Sequence, residues 1–129
     1  MRRDVVARGA AGLLAILVGG CGSSANLGYT DFLIAVGAET FVLRTSDPET
    51  IRVAHLALEG KSPAFPLGPM RAGDGGWNAP WSWHLDPVQT RMVEAAIEVC
   101  DGTPSYVEAH LEDFPAYCPW GARVVGVRP

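Results

Sequence analysis

The chain has 129 residues, of which 48% are hydrophobic and 19% charged, with 15 Gly, 10 Pro and 3 Cys. That is one small domain, too short for two independent cores and too apolar for a disordered chain. The formal charge is −4, and three of ten basic but only one of fourteen acidic residues lie in the first twenty. The remainder therefore holds seven basic against thirteen acidic side chains, a charge of −6, and has no basic face with which to neutralise nucleic-acid phosphates.

Residues 1–20 read as an export signal. Arg2, Arg3 and Arg8 give a basic start, and residues 9–20 are uncharged and rich in Leu, Ile, Val and Ala. That run is shorter than the roughly 20 apolar residues a membrane span needs and suits the apolar middle of a signal peptide. Leu17-Val18-Gly19-Gly20-Cys21 resembles a bacterial lipobox, in which small residues precede a cysteine that is acylated and becomes the new N-terminus. Lipidation at Cys21 would add about 0.8 kcal/mol per buried methylene, enough with several chains to hold a domain at the outer membrane or cell surface. Ordinary secretion with nearby cleavage, or an uncleaved anchor, are the alternatives. Residues 21–30 then form the lipidated cysteine and a flexible tether, and residues 31–129 a single domain.

With Cys21 acylated, two cysteines remain, and outside the cytoplasm the pair Cys100 and Cys118 is most simply a disulfide. Closing that loop contributes about 3 kcal/mol in the chain-entropy picture. A metal site joining these thiols to His84 and His110 lacks ligand-like spacing, and no motif implies a cofactor.

Along the domain, residues 32–36 and 40–45 are β-type runs joined by Gly37-Ala38-Glu39. Asp47-Pro48 supplies a helix cap and a proline suited to the first helical position; Ile51, Ala54, His55 and Leu58 recur at helical spacing, and Gly60 ends the helix. Residues 61–80 hold Pro63, Pro66, Pro69 and Pro80 with four glycines, so any strand there should be short or at a sheet edge. In residues 81–85, Trp81, Trp83 and Leu85 fall on one face, and Ser82 and His84, followed by Asp86, on the other. Residues 92–100 show the cleanest alternation, with Val93, Ala95, Ile97 and Val99 on one face. Thr103-Pro104 starts a second helix with Tyr106, Val107, His110 and Leu111 along one side, and residues 122–127 make a closing strand. The expected fold is α+β in the order β-β-α-β-β-β-α-β: a small, mainly antiparallel sheet with two helices on one face and one disulfide.

Ser82, His84 and Asp86 share a strand face, but alternate residues stand about 6.6 to 7 Å apart with parallel side chains, whereas a triad needs convergent contacts of about 3 Å from separate elements. The plainer reading is that His84 orients a loop and Asp86 caps a turn. Glu94 and Glu98 sit roughly 13 Å apart on one strand, outside the roughly 5 to 9.5 Å that glycosidase carboxyls require. Gly73-Asp74-Gly75-Gly76 lacks the lysine and the following helix of a phosphate cradle. Four tryptophans, Trp77, Trp81, Trp83 and Trp120, are many for this length, and three cluster beside Pro80. Exposed rings beside polar groups grip peptides or stack on sugars, against the plainer reading that Trp81 and Trp83 are core and the other two cover the sheet edge.

Phe41-Val42-Leu43-Arg44 with Asp47-Pro48, residues 80–87 (PWSWHLDP), Glu98-Val99-Cys100-Asp101, Ser105-Tyr106-Val107-Glu108 with His110-Leu111, and Cys118-Pro119-Trp120 together resemble one family. It is the N-terminal-type domain of a slime-mould calmodulin-binding protein group and its small secreted bacterial relatives. The resemblance covers about residues 40–125 and implies the fold and the disulfide, but no catalytic residues. Calmodulin binding is not implied, because the basic amphipathic segment of a typical target is absent. The expectation is a lipid-anchored extracytoplasmic domain that binds a protein, peptide or glycan through Trp77, Trp81, Trp120, His84 and Asp86. The competing expectations are a small hydrolase using His84, Asp86 and Glu98, and a structural envelope protein or inhibitor of secreted enzymes.

Overall fold

The computed structural model describes residues 28–97 and 99–129; the expected export signal, Cys21 and Glu98 lie outside them. Strands β1 (Thr30–Val36) and β2 (Glu39–Thr45) form a hairpin whose register runs from Thr30 opposite Thr45 to Val36 opposite Glu39. The turn is one residue tighter than expected, with Gly37 at φ +62°, a left-handed conformation that glycine adopts without penalty. The closing strand pairs antiparallel with the other side of β1, shifting register between Leu33 and Ile34. Phe32, Ile34, Phe41 and Leu43 on one face of this sheet are buried, each contributing about 1.5–3 kcal/mol of transfer free energy.

Helix α1 (Pro48–Leu58) forms as its caps require: the Thr50 N–H and hydroxyl both donate to Asp47 Oδ2 at 2.8 Å. Its Ala54 is buried, while Ile51 and Leu58 pack against the core. At its end the Lys61 N–H donates to the Leu56 carbonyl at 2.8 Å across Gly60, whose φ is +75°.

The α+β class holds, but the strands divide into two antiparallel sheets rather than one. The second is built around β3 (Phe65–Ala72), which pairs with β4 (Trp83–Leu85), β5 (Arg91–Val93) and β6 (Ala116–Tyr117). The proline content of this stretch predicts only a short or edge strand, yet β3 has eight residues and is central. The physical reason is a change of partner. Phe65, Pro66 and Leu67 face β5, Gly68 and Pro69 face β6, and Met70, Arg71 and Ala72 face β4. No ladder lasts beyond three residues, so each missing proline N–H costs an isolated bond rather than a continuous one. Gly68 is required, since a Cβ there would lie 2.9 Å from the Thr90 Cα.

The expected strand over residues 92–100 is corrected. Only residues 91–93 pair, because Val93 lies opposite Phe65, the first residue of β3. Its ladder would next meet Ala64 and Pro63, and Pro63 has no N–H to offer. Beyond Val93 the expected apolar face turns outward: Ala95 is exposed, and Ile97 and Val99 are 95% and 99% exposed.

Helix α2 (Pro104–Ala109) starts at the Thr103 cap, which accepts from the Tyr106 N–H, and is followed by a 3-10 turn at Leu111–Asp113. Of its expected inner side only Val107 is buried, while Tyr106 and Leu111 are 52% and 38% exposed. The chain then runs through β6 into β7 (Arg123–Arg128). Helix α1 packs against β7 and β5, and α2 against β2. Phe41, Trp83 and Tyr117 meet between the sheets with ring centroids 5.3–5.6 Å apart.

Asn78, wholly buried, ties the sheets together. Its Oδ1 accepts from the Val42 N–H at 2.8 Å and its Nδ2 donates to the Trp83 carbonyl at 2.7 Å. The outer edge of β2 is covered further by Trp81, whose indole N–H donates to the Thr40 carbonyl at 2.9 Å. A sheet edge that would otherwise offer open backbone groups is thus closed by side chains.

Candidate binding surface

The expected site residues fall into two groups at opposite ends of β3. At its C-terminal end, Asp74 folds the loop: its Oδ1 accepts from the Gly76 N–H at 2.8 Å, and its carbonyl accepts from the Trp77 and Asn78 N–H groups. This returns Trp77 over the first sheet, where the Arg44 guanidinium lies 4.6 Å from its ring centre and the His84 ring stands edge-on at 4.7 Å. Arg44 is itself held by two bonds to Asp31, at 2.7 and 2.9 Å. Arg128 donates to the Trp77 carbonyl at 3.1 Å. A side chain at Gly75 would strike the Trp77 ring at 2.8 Å. Trp77 is therefore clamped, as a packed layer rather than a free platform.

His84 donates from Nδ1 to the Gly73 carbonyl at 2.8 Å, which fixes the tautomer because a carbonyl only accepts. Asp86 Oδ1 accepts from the Val88 and Gln89 N–H groups at 2.8 Å, and its Oδ2 accepts from Arg71 Nε at 3.0 Å. Burial opposes the charge on Asp86, but those backbone bonds and Arg71 outweigh it and hold its carboxyl below the usual range. The Ser82 hydroxyl and N–H both donate to Glu108, at 2.8 Å and 3.0 Å to its two carboxylate oxygens. Ser82, His84 and Asp86 thus each have a separate structural partner and do not converge. Trp81 stacks on Trp83, centroids 6.2 Å apart, and Trp83 is core.

Trp120 stands elsewhere. It lines a cleft of about 390 Å³ with Phe65, the residue seven positions and hence about 23 Å along β3 from Ala72, the partner of Trp83. Trp120 is 53% exposed. It also lines a cleft of about 290 Å³ with Ile97, Val99, Cys100 and Asp101. The mount is firm. Cys100 and Cys118 form the disulfide, with Cα atoms 5.1 Å apart, and the Cys118 N–H donates to the Cys100 carbonyl at 2.8 Å. Asp101 Oδ1 accepts from both the Gly102 and the Trp120 N–H groups at 2.9 Å. The Tyr117 hydroxyl donates to the Gly102 carbonyl at 2.7 Å; burial drives its pKa well above the ordinary phenol value, with the charges of Asp101 and Glu39 adding to the effect.

Both thiols of the metal alternative are therefore spent in the disulfide. Sequence reasoning missed two things. Asn78 gives no local signal of its role, since its two partners lie on strands that meet only in the fold. Ile97 and Val99 are recognisable as one apolar face, but the side to which it turns depends on where β3 ends. The family model of the N-terminal domain of the calmodulin-binding protein 74 group matches residues 28–129. No curated protein and no solved structure matches the chain.

Proposed function

The chain belongs to the family of the calmodulin-binding protein 74 N-terminal domain, and on that premise we propose that it is a non-enzymatic binding module, exported by residues 1–20 and held at the cell envelope by lipid on Cys21. The basic start, the short apolar run and the small residues before Cys21 support the export and anchoring. The observation that carries binding over catalysis is the contrast among polar and apolar groups. Ser82, His84 and Asp86 are each tied to a structural partner, whereas Trp120, Ile97 and Val99 present apolar surface to solvent. An aromatic ring on a rigid mount is the usual anchor of an interface. The binding surface accordingly centres on Trp120 rather than on Trp77 and Trp81. The hydrolase reading draws no support from His84 and Asp86, which are turned to Gly73 and Arg71.

Two measurements test this. Cys21→Ser should move the chain from the membrane fraction to the soluble one. The full chain, immobilised and exposed to a native envelope extract, should retain a partner that the Trp120→Ala chain does not. Equal retention by both chains would sink this surface.

A further inference from the structure

We propose that the edge of β3 at Ala72 takes an extended segment of a partner protein, one large apolar side chain of which, flanked by Lys or Arg, fills the cleft beside Leu111 and Phe114. This surface lies at the C-terminal end of β3, away from Trp120, and goes beyond the binding reading above.

The pairing of β3 leaves that edge open. The Asp86 N–H donates to the Pro69 carbonyl at 2.9 Å and the Gly73 N–H to the Ser82 carbonyl at 2.8 Å. Hydrogen-bonded positions alternate along an antiparallel ladder. Pro69, Arg71 and Gly73 therefore turn their backbone groups to the β4 side, and Met70 and Ala72 turn theirs to the opposite edge. There the Met70 N–H reaches the Pro115 carbonyl at 3.0 Å, but Pro115 has no N–H to return, and the chain just before it is the 3-10 turn. Among the described residues nothing bonds the N–H or the carbonyl of Ala72, which is exposed. An open donor and acceptor on one strand residue are what an added strand pairs with.

The cleft lies on the matching face. Met70, Ala72, Trp83, Leu111, Phe114 and Pro115 line about 260 Å³. Trp83 stands opposite Ala72 across the β3–β4 ladder, and directly opposed residues carry their side chains on one face. A residue laid against the other edge of Ala72 therefore brings its side chain to the face on which Trp83 lines the cleft. The volume is below the roughly 300–1,000 Å³ of small-molecule pockets, so it fits one side chain rather than a cofactor.

Charge selects the flanks. Residues 108–115 carry Glu108, Glu112 and Asp113 and neither Lys nor Arg. Glu112 and Asp113 are exposed in the turn that holds Leu111, and Glu108 is bonded to Ser82, which also lines the cleft. Arg71, in the same lining, is engaged by Asp86 at 3.0 Å. Lys or Arg on the incoming segment thus gains opposite-charge pairs. A second copy of this chain would bring the same carboxylates against each other, and like charges juxtaposed oppose association.

The test uses the full chain, end-blocked synthetic peptides and NMR. Lys-Lys-Phe-Lys-Lys should bind, shift the signals of Ala72 and Leu111, and slow the exchange of the Ala72 amide, which is fast in the free chain. Three controls are Glu-Glu-Phe-Glu-Glu, Lys-Lys-Ala-Lys-Lys, and the first peptide N-methylated at Phe, which blocks the N–H that meets the Ala72 carbonyl. Each should bind at least about tenfold more weakly. Ala72→Pro removes the open donor at an edge position that tolerates proline, so it should keep the folded spectrum and lose about tenfold or more in affinity. Leu111→Ala, at a residue already 38% exposed, should keep the fold and also lose about tenfold by removing a wall of the cleft. Equal binding of any control, no binding of the first peptide, slow Ala72 exchange in the free chain, or a dimer that Ala72→Pro dissolves would each overturn the proposal. Shifts confined to the residues around Trp120 would overturn this cleft and leave the Trp120 surface standing.

Discussion

β3 and residues 94–99 are stretches of similar length in the sequence, and their described residues meet opposite fates. β3 contains Pro66, Gly68 and Pro69, each of which weakens a ladder, yet it lies at the centre of a sheet with a neighbour along its whole length. Residues 94–99 contain neither Pro nor Gly and alternate cleanly, yet their described residues make no backbone pair. The difference lies in what is within reach. β3 is met in turn by three short strands brought in from distant parts of the chain, so no partner has to tolerate more than one proline. Beyond Val93, which lies opposite the first residue of β3, the next positions along the ladder are Ala64 and Pro63. Alternation says that a segment is able to be a strand; the supply of a partner decides whether it is one.

Several substitutions sharpen that contrast. The largest effect is expected at the tie between the sheets. Asn78→Ala leaves the Val42 N–H and the Trp83 carbonyl without their side-chain partners, at about 1–3 kcal/mol for each group left buried and unsatisfied. Urea unfolding should therefore show a loss of about 3 kcal/mol or more, and a loss under about 1 kcal/mol would mean that the aromatic core alone holds the sheets. Gly68→Ala, on the paired strand, should cost about 2 kcal/mol by forcing Thr90 away, in the usual range for overpacking.

Acid is the next lever. The Asp86 carboxyl is held below its ordinary value in the folded chain, so the stability it adds is present above about pH 4, the value of the unfolded chain. That stability is lost as pH falls through the lower folded value. Asp86→Asn should flatten the acid limb of a stability-versus-pH curve, and an unchanged slope there would count against the Asp86 turn. The smallest effect belongs to Ile97. Ile97→Ala should change stability by less than about 0.5 kcal/mol, as at an ordinary surface site, and a larger loss would mean that Ile97 packs in the isolated chain.

Legibility in the sequence follows the range of the interactions. The β1–β2 hairpin, both cap-plus-proline helix starts and the disulfide depend on residues close together or on simple counting, and each is present. His84 and Asp86 are readable as a loop-orienting and a turn-capping residue, because their partners Gly73, Val88 and Gln89 lie nearby. β3 is not readable, since its tolerance of Pro66 and Pro69 comes from three separate partners. The Trp77 clamp is also hidden, because it needs Arg44 from the first sheet and His84 from the second.

Amide hydrogen exchange on the free, monomeric chain tests the central contrast most directly. The Met70 amide, which donates to the Pro115 carbonyl at 3.0 Å, should exchange slowly, while the amides of Ala95, Ile97 and Val99 exchange at rates close to those of an unfolded peptide. Strong protection of Ile97 and Val99 in the absence of any partner would contradict the account, because the backbone beyond Val93 would then already be paired.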